Sequence, residues 1–155
     1  MLHDFLNRYK NKNILFVGVG NLLKRDDGVG VYISKKLKKR DSISTLTVEV
    51  SIENYIGKIN ATNPDILVIV DAMDFNKKPG YWSLEPVENI HGYTTNTHNI
   101  TLDKVAELFN SKVYILGIQP ENIQFGEGLS QSVINSAKEI ILQINTFCTK
   151  KIDIY

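Results

Sequence analysis

One stretch constrains the fold more than any other: residues 13–30, NILFVGVGNLLKRDDGVG. It opens with an apolar run, Ile14-Leu15-Phe16-Val17, that reads as a buried strand. Gly18 and Gly20 allow the backbone to turn sharply at the strand's carboxyl end. Asp26 and Asp27 follow, and then an amphipathic pattern that reads as a helix. In an open α/β sheet, ligands bind beyond the carboxyl ends of the strands, so an acid pair at this point is placed for chemistry. It is equally well placed at a helix N-terminus, where Asp caps backbone amides and opposes the dipole. The expectation is that Asp26 mainly caps and that Asp27 is the acid of greater chemical interest.

The glycines invite a dinucleotide reading, which the details exclude. The fingerprint G-x-G-x-x-G needs a third glycine for close helix–strand packing. Gly18 and Gly20 fit, but the third position is Leu23. Two carboxylates also stand where a pyrophosphate would lie, and they repel an anion. No nucleotide is expected.

Further along, the chain alternates strands and helices. A helix is predicted from about Asp27 to Lys39, with Val29, Ile33 and Leu37 at helical spacing. It ends in a basic run, Lys35-Lys36 and Lys38-Lys39-Arg40, read as a solvated face that complements the helix dipole. Residues 46–50 alternate as a strand, and a short helix is predicted over about Asn54 to Asn60, stopped by Asn63-Pro64. Residues 65–72, DILVIVDA, form a continuous aliphatic run, the mark of a central parallel strand covered on both faces. Residues 81–84 read as an edge strand ended by Pro86. Residues 88–99 read as a loop around His98, and a helix starts near Asn99 or Thr101. Val113 to Ile118 is a further buried strand, and the last helix runs from about Ser130 to Phe147. Residues 1–12 read as a short helix or an arm whose Leu2, Phe5 and Leu6 pack on the body. The fold expected is a single α/β domain over residues 1–155, a mostly parallel twisted sheet with helices on both faces.

Composition removes several classes of function. Eighteen basic and seventeen acidic side chains nearly cancel, so no global charge draws the chain to nucleic acid. The apolar runs are strand-sized, so no membrane insertion is expected. The start, MLHDFLNRYKNK, is too polar for a signal peptide, and the lone Cys148 excludes an internal disulfide, which together point to the cytoplasm. A monomer is expected. There is no H-E-x-x-H, no G-x-S-x-G and no phosphate loop, so a generic zinc or serine hydrolase is poorly supported.

Three side chains stand out by position: Asp27, Asp71 and His98. Each lies near the carboxyl end of a strand or the start of a helix, points that a doubly wound fold gathers into one cleft. Two carboxylates and an imidazole bind a divalent transition metal and leave coordination positions open. Singly, each has an ordinary alternative: Asp27 as a helix N-terminal acid, Asp71 as a turn former, His98 as a surface histidine. His3 and His91 read as surface residues, and Cys148 as an inert packing residue.

Together these motifs resemble a known family. Gly18-Val19-Gly20-Asn21 with Asp26-Asp27-Gly28-Val29-Gly30 is similar to the opening motif of the [NiFe]-hydrogenase maturation endopeptidases. Val70-Asp71-Ala72, Thr97-His98-Asn99 and Leu116-Gly117-Ile118-Gln119-Pro120 resemble three further motifs, the last two in versions most like the hydrogenase-3 type. The resemblance implies an endopeptidase that removes a C-terminal extension from a hydrogenase large-subunit precursor after nickel insertion. It implies that Asp27, Asp71 and His98 contact the nickel, which the substrate supplies, and that these residues are the catalytic and metal-facing ones. Two rival functions stand beside it: a metallohydrolase with its own bound metal, and a chaperone that binds the precursor without cutting it.

Overall fold

A computed structural model describes residues 1–90 and 101–147. Its centre is a five-stranded sheet formed by β1 (Ile14–Val19), β2 (Ile43–Glu49), β3 (Ile66–Ala72), β4 (Trp82–Pro86) and β5 (Lys112–Ile118). The strand order is β2-β1-β3-β5-β4. Every neighbouring pair is parallel except β4 with β5, which is antiparallel and places β4 at the edge. The expected mostly parallel α/β sheet is therefore the observed one. The helices are α1 (Leu2–Arg8), α2 (Val29–Lys36), α3 (Ile56–Thr62), α4 (Leu102–Ala106) and α5 (Gln131–Thr146).

Side-chain alternation divides the core into two layers. Phe16, Val68, Val70 and Leu116 face the layer built by α1, α2 and α5. Leu15, Val17, Leu67, Ile69 and Ile115 face the layer built by α3 and α4. Both faces of β1 and β3 are covered, which is why their sequences run apolar without alternating until the glycine or acid near their ends. The N-terminal segment is a helix rather than an arm: Leu2, Phe5 and Leu6 are buried in the first layer. Its end is tied to the sheet where the hydroxyls of Tyr9 and Tyr114 meet at 2.7 Å.

Several boundaries differ from the expectation. The helix predicted from Asp27 to Lys39 is α2, Val29–Lys36, because Asp27 belongs to a preceding 3-10 turn, Arg25–Gly28. At its other end Leu37 is already extended. Asn145 of α5 accounts for that stop: its Oδ1 accepts the Lys38 amide N–H at 2.8 Å, and its Nδ2 donates to the Lys36 carbonyl at 3.0 Å. Within the basic run the four lysines are exposed as read, but Arg40 is not merely solvated. Its guanidinium donates to the carbonyls of Ile144 and Phe147, so the cation serves the C-terminal end of α5 rather than that of α2. β2 begins three residues earlier than predicted, where Arg40 and Ile43 form a backbone bridge. The helix predicted over Asn54 to Asn60 is a 3-10 turn, Ile52–Tyr55, followed by α3, with left-handed Asn63 ending it.

Candidate active site

The order of the strands decides where a site forms. From β1 the chain leaves toward β2 on one side, and from β3 it continues toward β4 and β5 on the other. The β1/β3 boundary is thus the topological switch point, the place where open α/β sheets bind ligands beyond their carboxyl ends. Asp27 follows β1, and Asp71 is the sixth residue of β3. Both are fully buried. Burying a carboxylate is costly unless hydrogen bonds or a cation compensate, so two of them at one sheet end mark a place built for polar chemistry.

The glycines of the opening motif create the closeness this needs. A Cβ on Gly30 would lie 2.1 Å from the Val70 carbonyl oxygen and 2.4 Å from that of Val19. A Cβ on Gly18 would lie 2.1 Å from Ser34 Oγ. The first turn of α2 therefore rests directly on the ends of β1 and β3. Gly20, at φ 146°, passes so close to the Asp27 carbonyl that a Cβ would fall 2.0 Å from it. Between them the loop closes on itself. The Asp27 amide N–H donates to the Lys24 carbonyl at 3.1 Å, and Asp27 Oδ2 accepts the Asn21 amide N–H at 3.2 Å.

Asp26 takes a different role from the one expected. It caps neither the 3-10 turn nor α2. Its buried carboxylate reaches across to residues 121–130 and accepts the amide N–H groups of Glu121 at 2.9 Å, Asn122 at 3.0 Å and Ser130 at 2.7 Å, together with the Ser130 hydroxyl at 2.6 Å. Its own amide N–H donates to the Asn122 carbonyl at 3.0 Å. Asp26 thus fastens the loop after β5 to the turn that carries Asp27.

Gln119 does the same for the other acid. It is buried; its Oε1 accepts the Phe75 amide N–H at 2.6 Å, and its Nε2 donates to Asp74 Oδ1 at 3.2 Å. The loop that follows Asp71 is thereby held from β5. Neither Asp26 as a long-range clamp nor Gln119 as a loop holder follows from sequence spacing. The trace of Gln119 in the sequence is its place in the motif at residues 116–120, directly after a buried strand.

Of the three predicted site residues, Asp27 and Asp71 lie buried at the same sheet end, and His98 lies outside the described residues, as do His91 and Cys148. Among the described residues no three His, Cys, Asp or Glu side chains come together as a metal-holding group. Oxygen donors of this type, joined by an imidazole, suit a divalent transition metal. No described helix is long and apolar enough to cross a membrane.

Strand order and the two buried acids define a doubly wound α/β protein with an acidic centre at the β1/β3 switch point. A family model described as hydrogenase maturation protease matches residues 31–146, and the chain belongs to that family. A Methanocaldococcus jannaschii protein assigned to the hydrogenase maturation proteases is 31% identical over 148 residues, spanning 86% of this chain and 96% of the relative. The hydrogenase 3 maturation protease of Escherichia coli K12 is 27% identical over 128 residues, 79% of this chain and 82% of that one. Among solved structures, the [NiFe] hydrogenase maturation protease HycI of Thermococcus kodakarensis superposes with a TM-score of 0.78 at 28% identity, covering 93% of this chain and 96% of that one.

Proposed function

We propose that this chain is the endopeptidase that removes the C-terminal extension of a [NiFe]-hydrogenase large-subunit precursor once nickel has been inserted. Asp27, Asp71 and His98 are its metal-facing residues, and the nickel they meet belongs to the substrate. The observation that carries this reading is the pair of fully buried carboxylates, Asp27 and Asp71, at the switch point of a chain in the hydrogenase maturation protease family.

The protein's own contribution is positioning. Asn21 orients the Asp27 carboxylate through its amide, Asp26 holds the flanking loop, and Gln119 holds the segment after Asp71. Acids fixed in this way would hold a cationic centre with little reorganisation, and a divalent metal held there would supply Lewis-acid polarisation beside the scissile amide. Hydrolysis adds one water across the amide, leaving a new carboxylate on the large subunit and a free amine on the released extension.

The test is mass spectrometry of the precursor after incubation with the protein. Nickel-loaded precursor is expected to lose the mass of its extension, and nickel-free precursor to keep it. An unchanged mass for the nickel-loaded form would identify a chaperone instead, and efficient cutting of a folded nickel-free form would remove nickel from the recognition.

A further inference from the structure

The most exposed large apolar side chain among the described residues is Phe125, at 82%, and Leu23 is 60% exposed. The two belong to loops far apart in the chain but joined in space. Lys24 and Gly126 form an isolated parallel bridge, with the Gly126 amide N–H on the Leu23 carbonyl at 2.9 Å and the Arg25 amide N–H on the Gly126 carbonyl at 3.0 Å. Residues preceding the two members of a parallel bridge run side by side, so Leu23 and Phe125 are neighbours on this rim. Both loops are stiffened from within: Asn21 Oδ1 accepts the Leu23 amide N–H, and Asn122 Oδ1 accepts that of Gln124, each at 2.9 Å. The Asp26 carboxylate then locks one loop to the other. Phe125 is therefore held out by hydrogen-bonded backbone on either side. Arg25 completes the rim. Its guanidinium lies across Gly126, where a Cβ would be 2.7 Å from the guanidinium carbon.

We infer that Leu23 and Phe125 are specificity-determining residues that seat an apolar side chain of the substrate polypeptide, extended alongside the cleavage centre. The inference deepens the proposed function and rests on it. Continuity with the centre selects this occupant. Leu23 stands four residues before Asp27, at most about 14 Å along the chain, and about four extended residues of substrate cover that span. Asn21, whose amide binds the Asp27 carboxylate, is two residues from Leu23 on the other side. A polypeptide whose scissile bond reaches Asp27 runs past this rim, and an aromatic–aliphatic pair on a rigid backbone is the kind of surface that carries binding energy.

The test is the steady-state cleavage of nickel-loaded precursor by Phe125→Ser, Leu23→Ser, Phe125→Leu and, as a control within α5, Leu142→Ser, which alters a residue about as exposed as Leu23. Phe125→Ser is expected to raise KM about tenfold with kcat within twofold, the size of the loss of one significant apolar contact. Leu23→Ser should act in the same direction, Phe125→Leu should restore most of the loss, and Leu142→Ser should match wild type. All four should melt within a degree or two of wild type, since the side chains changed are exposed. An unchanged KM in Phe125→Ser, with wild type cutting normally, overturns this inference alone. Failure of wild type to cut the precursor overturns the proposed function and this inference together. A wild-type dimer in sedimentation that Phe125→Ser dissociates would assign the rim to a second copy and overturn it as well.

Discussion

Two adjacent aspartates show how much a neighbouring position matters. Asp26 and Asp27 are both fully buried, yet their carboxylates face different partners. Asp26 is surrounded by donors, three amide N–H groups and one hydroxyl. Asn at this position keeps one acceptor oxygen but turns an NH2 group toward other donors. Charge-assisted hydrogen bonds are about twice as strong as neutral ones, and a buried donor left without an acceptor costs about 1–3 kcal/mol. Asp26→Asn is therefore expected to destabilise the fold by about 2–4 kcal/mol, visible as a lower melting temperature. Asp27 Oδ2 accepts the Asn21 amide, which the amide oxygen of Asn would still do. Asp27→Asn should keep the melting temperature close to wild type while cleavage of the precursor falls by about 100-fold or more, because the charge is lost. Thermal melts and cleavage rates of both variants check this. A stable, fully active Asp26→Asn would contradict the clamp, and a fully active Asp27→Asn would contradict the role of its carboxylate. The adjacency of the two acids was visible in the sequence, and so was the case for Asp27. The partners of Asp26 were not, because they lie 95 to 104 residues away.

At the scale of elements, the opening motif is a device for bringing a helix onto the ends of two strands. Gly30 in the first turn of α2 leaves no room for a Cβ between the Val19 and Val70 carbonyls. Gly30→Ala must lift α2 from β1 and β3, and a loss of about 3 kcal/mol or more is expected from overpacking against backbone that cannot move aside. Gly57, near the start of α3, is the contrasting case, with nothing within 4 Å of its would-be Cβ. Gly57→Ala should stabilise by about 0.5–1 kcal/mol through helix propensity and a less flexible unfolded chain. Denaturant titrations of the two variants should give shifts of opposite sign, and equal signs would refute the steric account. The strands were legible because local chemistry decides them: residues 14–17, 66–70 and 113–116 are runs of aliphatic and aromatic side chains with no competing reading. The ends of α2 were not. Its C-terminal stop is imposed by Asn145, and the basic run beside it contains one arginine that answers to α5. Helical spacing through Leu37 carries no trace of either contact. Of the site itself, Asp27 and Asp71 were legible as polar residues following apolar strands, whereas the loops that hold them depend on Asp26 and Gln119 bonding across the sheet.

For the whole molecule, the proposed function turns on what the chain brings to the metal and what the substrate brings. Asp27 follows β1 and Asp71 lies on β3, neighbouring strands on which the first turn of α2 rests, so one packed unit holds both acids. Two carboxylate donors, with the imidazole of His98 as the proposed third, make an incomplete coordination sphere for a transition metal, and incomplete sites of this kind bind weakly without further ligands. Under the proposed function, a substrate that arrives with its nickel already ligated would supply the remainder. The protein should therefore purify with substoichiometric metal, as judged by elemental analysis. Stripping it with a chelator, followed by removal of the chelator, should leave the rate of cutting nickel-loaded precursor unchanged. A hydrolase with a resident metal behaves in the opposite way: it carries about one equivalent, loses activity on stripping and regains it when metal is returned. In the same experiment, Asp71→Asn should reduce cleavage as Asp27→Asn does, and added free nickel should restore neither variant, since what each has lost is a ligand. Recovery of activity in either variant with free nickel, or loss of wild-type activity after stripping, would move the metal from the substrate to the protein.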